Sequence, residues 1–232
     1  MKHLSAAQAL PTRRSLLLGA AGLGVMAVTL TACSSGSPSL YTLAVVPGQA
    51  QAGGPRYVEV RQPTIASGLD RDRMVTKDTG YKLTVASNDA WGDSLAGQIS
   101  RAMAGDLAQR LPGTAVFAEN DAVTTQPDAY VELSVTRFAE GPSGRVEIEA
   151  ALSVQPALAG APAGDEGVYL QRLHVQGGTV SGSVSLAQEL STLLGQIADT
   201  AAAQLRLVPA QQQQLVEQQR QQQAAAVRKG HK

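Results

Sequence analysis

Side chains able to do chemistry are few in this chain, and they are far apart. The only cysteine is Cys33, which ends the run Leu30-Thr31-Ala32-Cys33. An apolar stretch followed by small residues and then a thiol is the spacing of a bacterial lipobox. In that setting the sulfur is joined to a diacylglycerol, the preceding segment is cleaved off, and the freed α-amino group is acylated. Of three histidines, His3 and His231 lie near the ends, which leaves His174 in the body of the chain. A single histidine with no second histidine or cysteine cannot give structural-zinc spacing. A Ser-His-Asp triad would have to use His174, and no Gly-x-Ser-x-Gly elbow surrounds any serine. His174 therefore reads as a satisfied surface or core histidine. Glu147 and Glu149 fall on one face of an alternating strand. Paired carboxylates can move protons, but an exposed polar sheet face accounts for this pair more simply. The sequence thus predicts no catalytic, cofactor-binding or metal-binding residue, and one lipidated residue, Cys33.

Other conspicuous groups have plain readings. There is no Gly-x4-Gly-Lys-Ser/Thr phosphate loop, and the glycines from Gly19 to Gly24 lie ahead of Cys33 in the apolar run. Asp70-Arg71-Asp72-Arg73 mixes signs over one turn. It could meet a partner, though alternating charge on a loop is more often simply solvated. Trp91, the sole tryptophan, reads as a core anchor.

The segment around Cys33 has the parts of an export signal. Lys2, Arg13 and Arg14 form a basic start, and Leu16 to Leu30 is apolar and glycine-rich. It is too short for a comfortable membrane span of roughly 20 residues. Thr12-Arg13-Arg14-Ser15-Leu16-Leu17 also resembles a twin-arginine export motif, and an ordinary basic start is the competing reading. Residues 1–32 are therefore expected to be a lipoprotein signal peptide and 33–39 a linker. Each buried methylene adds ~0.8 kcal/mol, so two or three acyl chains hold a protein firmly on a membrane. Ser34 stands where an Asp would favour the inner membrane under the usual sorting rule. Its identity leans the expectation to the outer membrane, facing the periplasm.

The totals narrow the class further. The full chain has 19 basic and 19 acidic residues, and removing 1–32 leaves 16 against 19, a net of −3. That is no electrostatic case for nucleic acid, which requires a clustered basic surface. One cysteine excludes an internal disulfide. Aromatics make up only 3% of the chain, so the core must be built from small aliphatics.

The remaining pattern predicts the elements that position these side chains. Leu40 to Val46 reads as a first strand and Arg56 to Arg61 as a second. Met74 to Thr76 and Tyr81 to Val85 pair across Lys77 to Gly80. Asn88 and Asp89 are expected to cap a helix whose apolar stripe is Trp91, Leu95, Ile99, Met103, Leu107 and Leu111, with Ala102 alongside. Thr114 to Ala118 is a short strand, and Asn120 to Asp128 a polar loop. Val131, Leu133 and Val135 alternate with Glu132, Ser134 and Thr136, and Val146 to Val154 alternate likewise across a Gly141-Pro142-Ser143-Gly144 hairpin. Such alternation means one covered face and one wetter face. Gly160 to Gly167 reads as loop and Val168 to Val175 as strand. A second helix starts near Ser183 or Ser185, with Ser185 and Gln188 as a capping box. Its stripe runs through Leu186, Leu190, Leu193, Leu194, Ile197, Ala198, Ala201 and Leu205, and Pro209 punctuates its end. Gln211 to Gln223 holds nine glutamines in 13 residues, too little apolar surface for a core. The expected domain is 40–207, and 208–232 is a Gln-rich polar tail, either a solvated helix or disordered. The fold class expected is α/β, α+β-like: a single layered domain. A mixed, mostly antiparallel sheet of about six or seven strands is covered by two amphipathic helices.

The order of these pieces resembles the PqiC/YmbA family of ABC-type transport auxiliary lipoproteins. The carrying stretches are Leu40-Tyr41-Thr42-Leu43 after Cys33, Val58-Glu59-Val60 with Pro63, and Leu69-Asp70-Arg71 leading to Met74-Val75. Tyr81-Lys82-Leu83 followed by Asn88-x-x-Trp91, a helix and Leu111-Pro112-Gly113 is the most specific. Val131 to Phe138, Gly144 to Val154 and Ser183 to Leu205 complete the match over roughly 33–207. The Gln-rich tail and the twin-arginine-like motif depart from the pattern. The resemblance implies a non-catalytic periplasmic component of an MCE-type lipid transport system, docking the transporter at the outer membrane. Its partners would be an MCE-domain protein with an associated permease or ATPase, and some members form rings of identical copies. Only Cys33, as anchor, carries over as a functional residue, and no cofactor is implied. The competing class is an assembly lipoprotein of an outer-membrane secretion or barrel complex. An esterase-like lipoprotein would need His174 as base.

Overall fold

A computed structural model describes residues 37–157 and 168–209, with a few further positions between 212 and 221. The expected signal segment, Cys33, the 160–167 loop and most of the Gln-rich tail lie outside the described residues.

One mixed sheet organises the domain, and one long strand organises the sheet. The strands in chain order are β1 (Ser39–Tyr41), β2 (Tyr57–Val60), β3 (Thr64–Ile65), β4 (Arg73–Asp78), β5 (Leu83–Trp91), β6 (Ala115–Ala118), β7 (Ala129–Glu140), β8 (Val146–Pro156) and β9 (Tyr169–Gln176). The helices are α1 (Leu95–Arg110), between β5 and β6, and α2 (Ser183–Leu205), after β9. Along one edge of β7 lie β2, β3 and β4 in turn, all parallel to it, at Val58↔Ala129, Thr64↔Ser134 and Lys77↔Glu140. Its other edge pairs antiparallel with β8 over its whole length, and β8 pairs antiparallel with β9. Outside β2 lies β6, parallel, and outside β4 lie β5, antiparallel, and β1, parallel to β5.

The sheet is mixed and its long pairs are antiparallel, as the alternation requires. Among the described residues it has nine strands rather than about six or seven. The excess lies in pieces such as β3, which is two residues long and has no periodicity to read.

Both helices pack on one face. Val131, Leu133, Val135 and Phe138 of β7 and Val146, Ile148, Ala150, Leu152 and Val154 of β8 are buried there. Ile99, Met103 and Leu107 of α1 and Leu190, Leu193, Leu194 and Ile197 of α2 meet them with side chains essentially excluded from solvent. Trp91 packs its ring 6.3 Å from that of Phe138. It is the core anchor expected, but it stands on β5 rather than at the head of a helix.

Four expectations about local structure are corrected, each for a visible reason. β5 runs on through Asn88 and Asp89 because Asp89, Ala90 and Trp91 pair with β1. The cap of α1 is instead Ser94, whose hydroxyl accepts the Gly97 N–H at 3.2 Å. Asp89 ties elements together: it accepts hydrogen bonds from the Tyr41 hydroxyl and from the Ser183 hydroxyl at the start of α2. The capping box at Ser185 does not form either. Gly182 is the cap, at φ 85°, and Ser185 lies one turn inside, its hydroxyl donating to the Ser181 and Gly182 carbonyls. The first strand stops at Tyr41, and 42–48 is held by side chains of the two helices. Finally, Glu147 does not sit on a wet face. It is only 2% exposed, covered by the Ser143 turn and by Arg137.

Candidate functional site

The uncovered face of β7, β8 and β9 collects the side chains that the sequence left scattered. Residues paired across an antiparallel ladder point to the same side. The register sets Arg137 opposite Glu149, Glu149 opposite His174, and Glu147 opposite Gln176. The glutamate pair and His174, read separately in the sequence, thus join one cluster with Arg137, which the sequence reading did not single out. No local motif could announce this, because it depends on the register of three strands.

Arg137 is the centre of the cluster. Its guanidinium is 3.3 Å from Asp78, 3.0 Å from Glu147 and 2.8 Å from Glu149. Glu147 also accepts the Ser143 hydroxyl at 2.9 Å and a Gln176 amide N–H at 3.1 Å, and His174 Nε2 is 3.5 Å away. Burial pushes the Glu147 carboxyl up, but the Ser143 hydroxyl, Arg137 and His174 outweigh it and hold the carboxyl below its ordinary range. A carboxylate kept ionised in this way cannot give up a proton near neutrality.

Glu147, Glu149 and His174 bring ligand atoms within 4.8 Å of one another. Their fit to a metal is poor. Arg137 already supplies the positive charge on both carboxylates, and the remaining lone pairs of Glu147 are taken by Ser143 and Gln176. His174 is half exposed and bonds no hydroxyl among the described residues, so it has no nucleophile beside it. Beside the cluster is an open cleft of about 480 Å³, lined by Ser134, Thr136, Glu149, Ala151, Arg172 and His174. Its lining mixes these polar and charged side chains with apolar ones, Ala150, Ala151 and Leu173.

The Asp70–Arg73 turn is tied into the fold. Arg71 donates to the Gly68 carbonyl, Arg73 to the Ser87 carbonyl, and the Asp72 carbonyl accepts the Trp91 N–H. Two of its four residues therefore spend their charged ends on backbone.

A second charged group lies on the helix side, and sequence reading missed it. Arg110 is 2% exposed and Asp106 is fully buried. Arg110 donates to Asp199 of α2 at 2.5 Å and to the Val46, Asp106 and Gly195 carbonyls. Asp106 Oδ1 accepts the Val46 N–H at 2.6 Å, and Oδ2 has no partner. Burial pushes the Asp106 carboxyl up to about 6, against the pull of the Val46 N–H and Arg110. The available signal was a charged residue in each of two consecutive turns on the apolar side of a helix, where Asp and Arg are buried only when paired.

Comparison with known proteins gives the family context. Residues 41–202 match the model of the ABC-type transport auxiliary lipoprotein component. The chain is 29% identical over 182 residues to the intermembrane transport lipoprotein PqiC of Escherichia coli, covering 73% of this chain and 96% of that protein. The Shigella flexneri PqiC matches to the same extent. A crystal structure of an uncharacterized protein superposes with a TM-score of 0.58 at 16% identity, over 72% of this chain and 98% of its own. A Xanthomonas campestris protein superposes at 0.54, also at 16% identity, over 77% and 97%. At that identity the two structures establish a shared fold alone.

Proposed function

The chain belongs to the family of ABC-type transport auxiliary lipoprotein components, and from that premise we propose that it is a membrane-tethered, non-catalytic part of an intermembrane lipid transport system. In this reading Cys33 carries the lipid, the domain faces the periplasm from the outer membrane, and it docks an MCE-domain protein with its permease or ATPase. The anchor and the partner define the function.

The observation that carries the reading is the extent of the family match. It begins at the last residue of β1 and ends within α2, so it takes in β2 to β9, all of α1 and most of α2. Two further facts support it. No described helix is long and apolar enough to cross a membrane, and the lipobox-like run at Cys33 supplies a different means of attachment. The charged cluster on the open sheet face is saturated by its own partners, which suits a binding scaffold better than a reaction centre.

The test is density-gradient fractionation of cells that make the wild-type chain or Cys33→Ala. The wild type should band with the outer membrane, and Cys33→Ala should move to the soluble periplasm. Unchanged membrane banding of Cys33→Ala would contradict the anchor. Wild-type banding with the inner membrane would contradict outer-membrane docking.

A further inference from the structure

Residues 42–48 cross the groove between α1 and α2 without joining any sheet. Their backbone is read by helix side chains instead. The Leu43 N–H donates to Gln98 Oε1 at 2.9 Å, the Ala44 N–H to Ser191 Oγ at 3.1 Å, and the Val46 N–H to Asp106 Oδ1 at 2.6 Å. Arg110 Nη1 returns a bond to the Val46 carbonyl at 3.1 Å. Gln98, Asp106 and Arg110 belong to α1 and Ser191 to α2, so both helices hold the segment.

The helices are also shaped for it. Gly105 of α1 lies under the Val45 side chain, and a Cβ there would collide with it. Gly195 of α2 lies under Val46, and a Cβ there would stand 3.3 Å from Val46 Cβ and from Arg110 Nη2. A glycine inside a helix is less favourable than an alanine. Two facing helices each carry one where this segment crosses. The segment itself is held thinly: Ala44, Val45 and Pro47 are exposed, and the strand before it, β1, has only three residues.

We infer that the α1–α2 groove is a main-chain-reading site and that residues 42–48 occupy it as a releasable strap, governed by Asp106. Few buried apolar contacts and a handful of part-exposed bonds are the marks of a segment that opens below the global unfolding energy. Release would strip Asp106 of its cover and return its carboxyl toward the ordinary range. The charged groups facing Asp106 are Arg110 from its own helix and Asp199 from α2, and the strap itself carries none. The docked state then binds a proton more readily than the released state, so acid favours docking and neutral pH favours release. The change between pH 7 and pH 5 is about tenfold in the docking equilibrium.

The consequence for reach rests on the anchor reading. If Cys33 is the lipid attachment, a docked strap leaves residues 34–38 as tether, roughly 17 Å when extended. Only release of β1 together with the strap, up to residue 48, lengthens it, to roughly 50 Å.

The test needs no lipid assignment and so is independent of the anchor. Hydrogen exchange is measured on the full chain at pH 5 and pH 7, as protection factors corrected for intrinsic rates, in wild type, Asp106→Asn and Ser191→Ala. The Leu43, Ala44 and Val46 amides should exchange more readily than the β7–β8 core and gain about tenfold protection at pH 5. Asp106→Asn should lose that gain. Ser191→Ala keeps the carboxyl, so it should lower protection of the strap at both pH values and retain the gain. Strap amides that exchange only with the β7–β8 core would overturn the proposal. So would wild-type protection that does not change with pH, a gain that survives Asp106→Asn, or a strap unmoved by Ser191→Ala.

Discussion

Arg110 and Arg137 are both removed from most solvent, and each is satisfied by a different kind of partner. Arg110 sits among carbonyls with one exposed aspartate, Asp199. Arg137 sits among three carboxylates, of which Glu147 is almost wholly buried. Removing one member of a buried pair leaves the other charge stranded, which is the expensive case. Arg137→Met should therefore destabilise the protein by about 3 kcal/mol, measured by urea unfolding. A loss under 1 kcal/mol would mean that Ser143 and Gln176 alone satisfy Glu147. Asp106 makes a prediction of the opposite pH sense. Its folded carboxyl titrates near 6, above an unfolded value of about 4. Its stabilising contribution is thus full below pH 4 and is lost as pH rises through 6. The loss amounts to about 3 kcal/mol by pH 7. Asp106→Asn should flatten this component, so the stability difference between variant and wild type should shift in the variant's favour from pH 4 to pH 7. A difference independent of pH would contradict it. Glu147 runs the other way, holding its stabilisation above the ordinary carboxylate range and losing it in acid, which is why the comparison with the variant is needed.

At the scale of elements, the segments with clear periodicity were legible and the tertiary overrides were not. The stripe Leu95, Ile99, Met103, Leu107 specified α1, and Leu186 to Leu205 specified α2, because burial repeats at the helical period. Leu190 is fully excluded from solvent on α2. Leu190→Ala should cost about 2–5 kcal/mol, read as a lowered unfolding midpoint, and a cost under 1 kcal/mol would show that α2 does not seal the sheet. The start of α1 was not legible. Asn88, Asp89 and Ser94 are all competent caps, and only the pairing of β5 with β1, distant in sequence, selects Ser94. Residues 40–46 have the apolar composition of a strand, yet beyond Tyr41 the groove between two helices captures their backbone. Pairing decided by remote neighbours leaves no local trace. Hence the nine strands were undercounted, and Glu147 was placed on a wet face that the Arg137 register covers.

At the scale of the molecule, the layer order is one sheet with two helices on one face and a charged, open face on the other. The architecture followed from alternation and two amphipathic stripes, and the family was already visible in ordered short motifs. The charged cluster was not, since His174 and Glu149 meet only through the register of β8 and β9. The family match fits the proposed transport role, in which the partner is the defining property. The most direct measurement is cross-linking in living cells, followed by detergent extraction, affinity purification of the chain and identification of what is bound by mass spectrometry. The account predicts an MCE-domain protein together with its permease or ATPase. An outer-membrane barrel or secretion channel as the cross-linked partner, with no MCE-domain protein, would contradict it.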